Sequence, residues 1–172
     1  EFLLHYQPKI DLFSRTMTGL EALLRWQHPA RGLLTPAEFL PAVLDSDLEF
    51  ELGQWEIRHL FEQMTLWQQA GGDYQASFNA SAGQLLHPDF CSNLEHLLNL
   101  YAAVPPQRLE LEFQEGAVRN DLPALSAVLN HCRRLGLTIS LDNFGAEHAS
   151  LVSLNRLPVD VIKIDRRFIT DL

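Results

Sequence analysis

The stretch RLELEFQEGAVRNDLPALSAVLNHCRRLGLTISLD, residues 108–142, decides the fold. Short apolar runs at its two ends predict strands over residues 108–113 and 137–141. Between them, residues 122–135 carry apolar side chains at the three- and four-residue spacing of a helix. The residue types that favour helix ends flank this segment: Asp121, Pro123 and Gly136. A strand, a helix and a strand in this order predict a βα unit of a parallel sheet.

The same alternation extends through the rest of the chain. An antiparallel pair of strands with a turn near Ser14 opens it, and Gly71 and Gly72 end a long amphipathic helix that follows. The pattern predicts strands at residues 3–6, 17–26, 74–79, 108–113, 137–141 and 161–164, and helices at residues 48–70, 89–102, 122–135 and 149–154. Strands that alternate with helices in this way indicate one α/β domain, which we place at residues 1–172.

The composition excludes several classes of protein. With 47% hydrophobic and 20% charged residues, the chain has the make-up of a compact globular domain. Its net charge of −9 argues against a nucleic acid polymer as partner. Cys91 and Cys132 belong to no metal-binding motif, which predicts free core thiols and a reducing compartment. Because no apolar run approaches the ~20 residues that cross a bilayer, we expect a cytoplasmic domain without direct membrane insertion, whether or not its parent protein is membrane-anchored.

Polar side chains recur near the carboxyl ends of five successive predicted strands. They are Glu21 with Arg25, Asn79, Glu112 with Glu110, Asp142 and Lys163. Residues two positions apart on a strand share one face of the sheet, so each pair points the same way. The carboxyl ends of parallel strands form one rim, where barrels and open α/β sheets alike carry their active sites. The sequence therefore predicts a functional site at this rim.

The residue types at the rim indicate the chemistry. Those with oxygen ligands are Glu21, Asn79, Glu112 and Asp142. Such ligands suit Mg²⁺ or Mn²⁺ rather than zinc, and converging carboxylates require either a cation or protonation. Lys163 could accept or orient a proton of an attacking water if its pKa is held down, and Arg25 could bind a phosphate oxygen. This combination predicts metal-assisted hydrolysis of a phosphodiester.

Six local motifs resemble those of the EAL domain family. They are YQP at residues 6–8, EALLRW at 21–26, FNAS at 78–81, LEFQE at 111–115, DNFG at 142–145 and KID at 163–165. Their order and spacing are similar to the family's across essentially the whole chain. The resemblance implies a (β/α) TIM-like barrel with an antiparallel first strand, of which about six of the eight strands are present. It also implies hydrolysis of cyclic-di-GMP to linear pGpG with Mg²⁺ or Mn²⁺.

The same resemblance implies a role for each matching residue. The metal ligands would be Glu21, Asn79, Glu112 and Asp142, with Asn143 offering a weaker carbonyl ligand. Lys163 and Glu21 are the candidate catalytic residues, Lys163 by assisting the water. Gln7 and Arg25 would contact the nucleotide, and Glu115 would stabilise the loop that follows Asp142.

Departures from the family's pattern bear on activity. The family has two consecutive aspartates where this chain has Asp142 and Asn143, and an amide oxygen cannot supply the missing charge. Glu147 replaces a glycine of the following loop. The sequence also ends at Leu172, before the strands that hold a further glutamate and glutamine of the family's site. We therefore expect a fragment without turnover by itself and a parent protein with reduced or lost turnover.

Three functions remain open from the sequence. The domain is an active phosphodiesterase, an inactive cyclic-di-GMP receptor, or an interaction module that forms, for example, a homodimer. Of these we favour the phosphodiesterase, with its turnover impaired. In each case we expect additional regulatory or cyclase-type domains in the parent protein.

Several residues also have structural interpretations. We assign His28 to fixing its loop, and Trp55 and Trp67 to the core. Trp26 belongs either to the core or beside a guanine. Glu110 fits a polar layer inside the barrel.

Overall fold

A computed structural model describes residues 1–44, 46–114, 121–145 and 156–168. The strands are β1 (Phe2–Ile10), β2 (Met17–His28), β3 (Gly32–Leu34), β4 (Ala76–Asn79), β5 (Leu109–Gln114), β6 (Thr138–Phe144) and β7 (Val161–Ile164). The α-helices are α1 (Pro36–Phe39), α2 (Asp47–Gln69), α3 (Ala82–Leu85), α4 (Phe90–Leu100) and α5 (Leu122–Leu135). Three short 3₁₀ turns follow at Leu40–Ala42, Pro106–Arg108 and Arg166–Phe168.

The sheet follows the order β1-β2-β4-β5-β6-β7. β1 is antiparallel to β2, and every later pair along this path is parallel. The short β3 pairs antiparallel with β2 beside this path. Within the described residues, β1 and β7 each pair on one side only, so the sheet is an incomplete barrel rather than a closed one. The α/β fold with an antiparallel first strand is as predicted.

Local signals explain where the helices begin and end. The side chain of Asp121 accepts the backbone N–H of Ala124 at 3.0 Å, which caps α5, and Gly136 ends that helix with φ +106°. Gly71 adopts φ +83° two residues after α2 ends. Glycine adopts a left-handed backbone without strain because it has no Cβ atom, so helices end readily at these two positions. Both predicted helices are confirmed, with limits within one residue.

The core lies between the outer face of the sheet and the helices. Its largest fully buried side chains are Phe61, Phe78, Phe90, Phe113, Leu60, Leu85, Leu94, Leu109, Leu111, Leu125, Leu129 and Ile139. Burial of each such side chain contributes roughly 1.5–3 kcal/mol. Alternation along each strand then leaves the inner face to the intervening polar residues. The core therefore positions the polar residues on the side away from the helices.

A second apolar cluster lies beyond the long strand β2. Leu24, Leu34, Phe39 and Leu52 are buried there, and Trp26 and Trp55 pack against them. Trp26 contacts the rings of Phe2, Phe39 and His28 at centroid distances of 5.7, 5.8 and 4.7 Å. Trp26 thus packs partly buried against this cluster, and its other predicted position, beside a guanine, stays a prediction. Trp67 packs half-buried against the main core, also as predicted.

The turn between β1 and β2 is held by one carboxylate. Oδ1 of Asp11 accepts the backbone N–H groups of Phe13 and Ser14 at 3.1 and 2.6 Å. This places Leu12 and Phe13 outward, with 86% and 100% of their surface exposed. Because β1 and β2 are antiparallel, the turn lies at the amino end of β2, opposite the rim.

Some elements differ from the sequence prediction. The short β3, α1 and α3 were not predicted, since three- or four-residue elements carry too little periodicity to detect. β6 continues to Phe144, so Asp142 and Asn143 lie within the strand rather than after it. The predicted helix at residues 149–154 lies outside the described residues. Cys91 and Cys132 are both free, as expected. Among the described helices, none combines the length and apolarity that crossing a membrane requires.

Candidate active site

The strand register gathers the polar residues on the inner face in two levels. Glu21 on β2 is level with Ser77 on β4, which is level with Glu110 on β5. One step closer to the rim, Asn79 is level with Glu112, which is level with Ser140 on β6. The parallel register thus converts residues far apart in sequence into neighbours.

Alternating charges form a chain across this inner face. Nζ of Lys9 lies 2.8 Å from Oε2 of Glu110 and 2.9 Å from Oε1 of Glu112. On its other side Glu112 accepts a short hydrogen bond at Oε2 from Lys163, whose Nζ also lies 2.8 Å from Oε2 of Glu21. Five side chains from β1, β2, β5 and β7 are joined in this way.

These contacts determine the charge states of Glu112 and Lys163. Burial works to raise the pKa of Glu112, but the hydrogen bonds from Lys163 and Lys9 outweigh it and hold the pKa below its usual value. Burial works to lower the pKa of Lys163, but its bonds to Glu112 and Glu21 raise it instead. Lys163 is therefore an ammonium ion, and the lowered pKa that base catalysis would need is not observed here.

Asp142 lies at an irregular point of β6. The pairing with β7 shifts register between Leu141 and Phe144, and Asn143 there adopts φ +55°. Asparagine tolerates this left-handed conformation better than most residues. Burial raises the pKa of Asp142, and the nearby carboxylates of Glu112 and Glu21 add to the rise while Lys163 opposes it.

Helix α2 contributes an acid that the sequence did not indicate. The pairing of β2 with β4 ends at Ser77, and further along β4 the backbone N–H of Asn79 acts on the carboxyl of Glu56 and works to lower its pKa. Burial raises the pKa of Glu56 to about 8, with Glu21 adding to the effect. The side-chain amide of Asn79 lies 3.4 Å from Oε1 of Glu21. A carboxyl group with a raised pKa thus lies next to the strand that carries Asn79.

A cavity of about 450 Å³ opens beside these residues. Glu21, Asn79 and Asp142 line it together with Glu49 and Glu56 from α2. Apolar residues also line it, among them Leu23, Pro36, Leu40, Val43 and Phe113. The cavity therefore combines carboxylates with apolar side chains, which suits a ligand that has both an apolar part and a charged group.

The family-model comparison matches the EAL domain over residues 1–172. The chain belongs to the EAL domain family. Its incomplete barrel is thus a TIM-like barrel of the EAL type, as the motifs predicted.

Similar proteins support this assignment. The chain is 38% identical over 173 aligned residues to the bifunctional diguanylate cyclase/cyclic di-GMP phosphodiesterase MucR of Pseudomonas aeruginosa, with 100% of this chain and 25% of that protein covered. It is 37% identical to a cyclic di-GMP phosphodiesterase of the same organism, with 99% of this chain and 29% of that protein covered. The chain therefore spans about a quarter of the length of these relatives.

Solved structures also support the assignment to the EAL domain family. A complex of the MucR phosphodiesterase with c-di-GMP superposes with a TM-score of 0.90 at 37% identity, covering 99% of this chain and 69% of that one. The EAL domain of Xanthomonas citri FimX in complex with c-diGMP superposes with a TM-score of 0.86 at 25% identity, covering 99% and 66%.

The residues predicted to contact the nucleotide are not among those that line the described cavity. Gln7 is exposed on β1, level with Glu21. Arg25 is half-buried on β2 and donates from its guanidinium to the carbonyl of Leu24 at 2.8 Å. Neither lines the cavity as described. Glu115 lies outside the described residues, so its predicted role stays a prediction.

EAL phosphodiesterases depend on a metal as a class, and the donor types in this EAL domain fit one. The rim offers the carboxylates of Glu21, Glu112 and Asp142 and the amide oxygen of Asn79, all hard oxygen ligands. Within the described part of the chain, however, no three His, Cys, Asp or Glu side chains converge closely enough to hold a metal ion as arranged. The ammonium of Lys163 lies between Glu21 and Glu112 instead. A divalent ion that used both facing oxygens would have to displace it.

Sequence reasoning missed two members of this EAL site. Lys9 was hidden because its partners lie 101 and 103 positions away and β1 was predicted too short to include it. Glu56 was hidden inside an amphipathic helix, where a charged residue is ordinarily exposed. The one available signal for Glu56 was its place between Trp55 and Ile57, next to the buried face of α2. His28, by contrast, fixes its loop as predicted, since its Nδ1 accepts the N–H groups of Ala30 and Arg31.

Proposed function

We propose that this EAL domain binds cyclic-di-GMP at the rim and hydrolyses it to linear pGpG with Mg²⁺ or Mn²⁺, at a rate lowered by Asn143. The observation that carries the proposal is the linked group Glu21, Lys163 and Glu112 beside a cavity lined by carboxylates and apolar side chains. Its relatives named as cyclic di-GMP phosphodiesterases support the choice of substrate.

Each residue then has a defined task. Glu21, Asn79, Glu112 and Asp142 would hold the divalent ion, which supplies positive charge to polarise the phosphodiester. Lys163 would remain protonated and orient the attacking water or stabilise negative charge that develops on phosphate. Arg25 and Gln7 would bind the nucleotide if Arg25 exchanges the Leu24 carbonyl for a phosphate oxygen.

Asn143 sets the expected level of activity. It follows Asp142 in the irregular part of β6 and offers an amide oxygen where a carboxylate would add charge. Loss of one preorganised charged group commonly lowers turnover by ~10²- to 10³-fold. The second candidate function, a cyclic-di-GMP receptor without turnover, rests on this same residue.

Product analysis separates the two functions. The full-length parent protein is purified and incubated with cyclic-di-GMP and Mn²⁺, and pGpG is measured by chromatography for the parent and for its Asn143→Asp and Glu21→Gln variants. Impaired catalysis predicts slow or undetectable pGpG from the parent, a clear gain for Asn143→Asp, and none for Glu21→Gln. A protein that binds cyclic-di-GMP but gives no pGpG in either the parent or the Asn143→Asp variant would be a receptor.

A matched control is the exposed Glu51 on α2. Glu51→Gln should bind cyclic-di-GMP and form pGpG as the parent does. Absence of cyclic-di-GMP binding in every variant would refute both functions and leave the interaction module. Sedimentation analysis would detect the homodimer that such a module forms. A cyclase-type domain in the same polypeptide, as the name of one relative indicates for that protein, is part of the proposal.

A further inference from the structure

Lys9 occupies a position between two buried carboxylates. Glu110 and Glu112 are two residues apart on β5, point to the same inner face, and are 5% and 0% exposed. Nζ of Lys9 contacts both, at 2.8 and 2.9 Å. The lysine reaches them from β1, the antiparallel strand.

The two oxygens of Glu112 have different partners. Oε1 faces Lys9, and Oε2 faces Lys163 on the side of Glu21. A carboxylate held at both oxygens by ammonium groups has its plane fixed, because charge-assisted hydrogen bonds are short and directional. Of the two bonds, only the one from Lys163 lies where a divalent ion shared with Glu21 would bind.

We propose that Lys9 is a positioning residue, which fixes the carboxylate of Glu112 so that Oε2 is presented toward Glu21 when Lys163 gives way to a metal ion. The inference rests on the proposed function, because it takes Glu112 as a metal ligand. Lys9 acts through Glu112 and does not line the cavity.

A simpler role competes with this one. Lys9 also pairs with Glu110, so it would be needed even if it only neutralised that buried acid. The two roles separate when Lys9 and Glu110 are removed together. The double variant Lys9→Met/Glu110→Gln keeps the net charge of the inner face but loses the bond to Oε1 of Glu112. Glu110→Gln alone keeps that bond.

The test is the affinity for Mn²⁺, measured by calorimetry on the purified protein. A positioning role predicts that Lys9→Met/Glu110→Gln binds Mn²⁺ roughly 10-fold or more weakly than the parent, the usual effect of losing one charge-assisted hydrogen bond. Glu110→Gln should bind Mn²⁺ about as tightly as the parent. Lys9→Arg, which retains donors for both acids, should keep most of the parent's affinity for Mn²⁺. Binding of cyclic-di-GMP in EDTA should be unchanged, which a general structural defect would not leave intact.

The outcomes are distinct. A double variant that binds Mn²⁺ as tightly as Glu110→Gln overturns the inference and leaves the proposed function standing. A parent that binds no Mn²⁺ overturns the metal-dependent function and the inference with it. If the double variant does not fold, Lys9→Ala/Glu110→Gln, which also removes the donor to Oε1 of Glu112, decides in the same way: weaker Mn²⁺ binding than Glu110→Gln supports positioning, and equal binding refutes it.

Discussion

Nζ of Lys163 lies 2.8 Å from Oε2 of Glu21, although 142 positions separate the two residues in the chain. The contact joins β7 to β2 across the inner face. It also means that the ammonium uses an oxygen that a metal ion would need.

Removal of this ammonium should therefore favour the metal. Lys163→Met abolishes both the competing ion pair and a nearby positive charge, so we expect Mn²⁺ to bind about 10-fold more tightly. Calorimetric titration measures the change, with Arg108→Gln at the exposed pair with Asp73 as the control. Unchanged or weaker Mn²⁺ binding by Lys163→Met would show that the lysine does not compete.

Asn143 should limit the number of metal ions. With Glu21, Asn79, Glu112 and Asp142 as its ligands, the site should bind one Mn²⁺ weakly and a second one poorly or not at all. Asn143→Asp adds a carboxylate and should strengthen the second site, whereas Glu112→Ala should abolish the first. Two tight sites of equal affinity in the parent would contradict this prediction.

Arg25 should dominate the affinity for the nucleotide. A charge-assisted contact to phosphate contributes about 1.5–3 kcal/mol, so Arg25→Ala should weaken cyclic-di-GMP binding roughly 10- to 100-fold. Arg31→Ala, at an exposed arginine paired with Glu38, is the matched control and should leave the dissociation constant unchanged. Equal dissociation constants for the two variants would remove Arg25 from the binding site.

Helices and strands could be predicted from sequence wherever the periodic pattern extended over many residues or a capping residue was present. α5 has both Asp121 and Gly136, and its limits were predicted in full. The inner-face residues Glu21, Asn79 and Glu112 could be predicted because alternation on a strand is strict.

Tertiary contacts between side chains on different elements could not be predicted. The raised pKa of Lys163 follows from two carboxylates on other strands, and no local pattern encodes that pairing. Lys9 and Glu56 were missed for the same reason: each makes its decisive contact with a residue on another element.

Glu56 should make stability depend on pH. The folded protein keeps Glu56 protonated up to about pH 8, whereas an unfolded chain releases that proton near its ordinary pKa. The folded state then binds more protons across this window, so the free energy of unfolding falls as pH rises from about 4.5 to 8. One such group contributes a slope of up to about 1.4 kcal/mol per pH unit.

Denaturant unfolding at several pH values tests this. Glu56→Gln should be less sensitive to pH than the parent over that window, while Glu51→Gln on the exposed side of the same helix should follow the parent. Parallel curves for the parent and Glu56→Gln would mean that Glu56 is ionised in the folded protein at neutral pH.

The turn held by Asp11 offers an attachment point for a reporter group. Leu12 and Phe13 extend from the end of the sheet opposite the rim, and the side chain of Phe13 is fully exposed. A fluorophore attached to the cysteine of Phe13→Cys would replace no packed side chain. The labelling must spare the half-buried Cys91. Because this position is remote from the residues under study, the same label could be introduced into every variant discussed above.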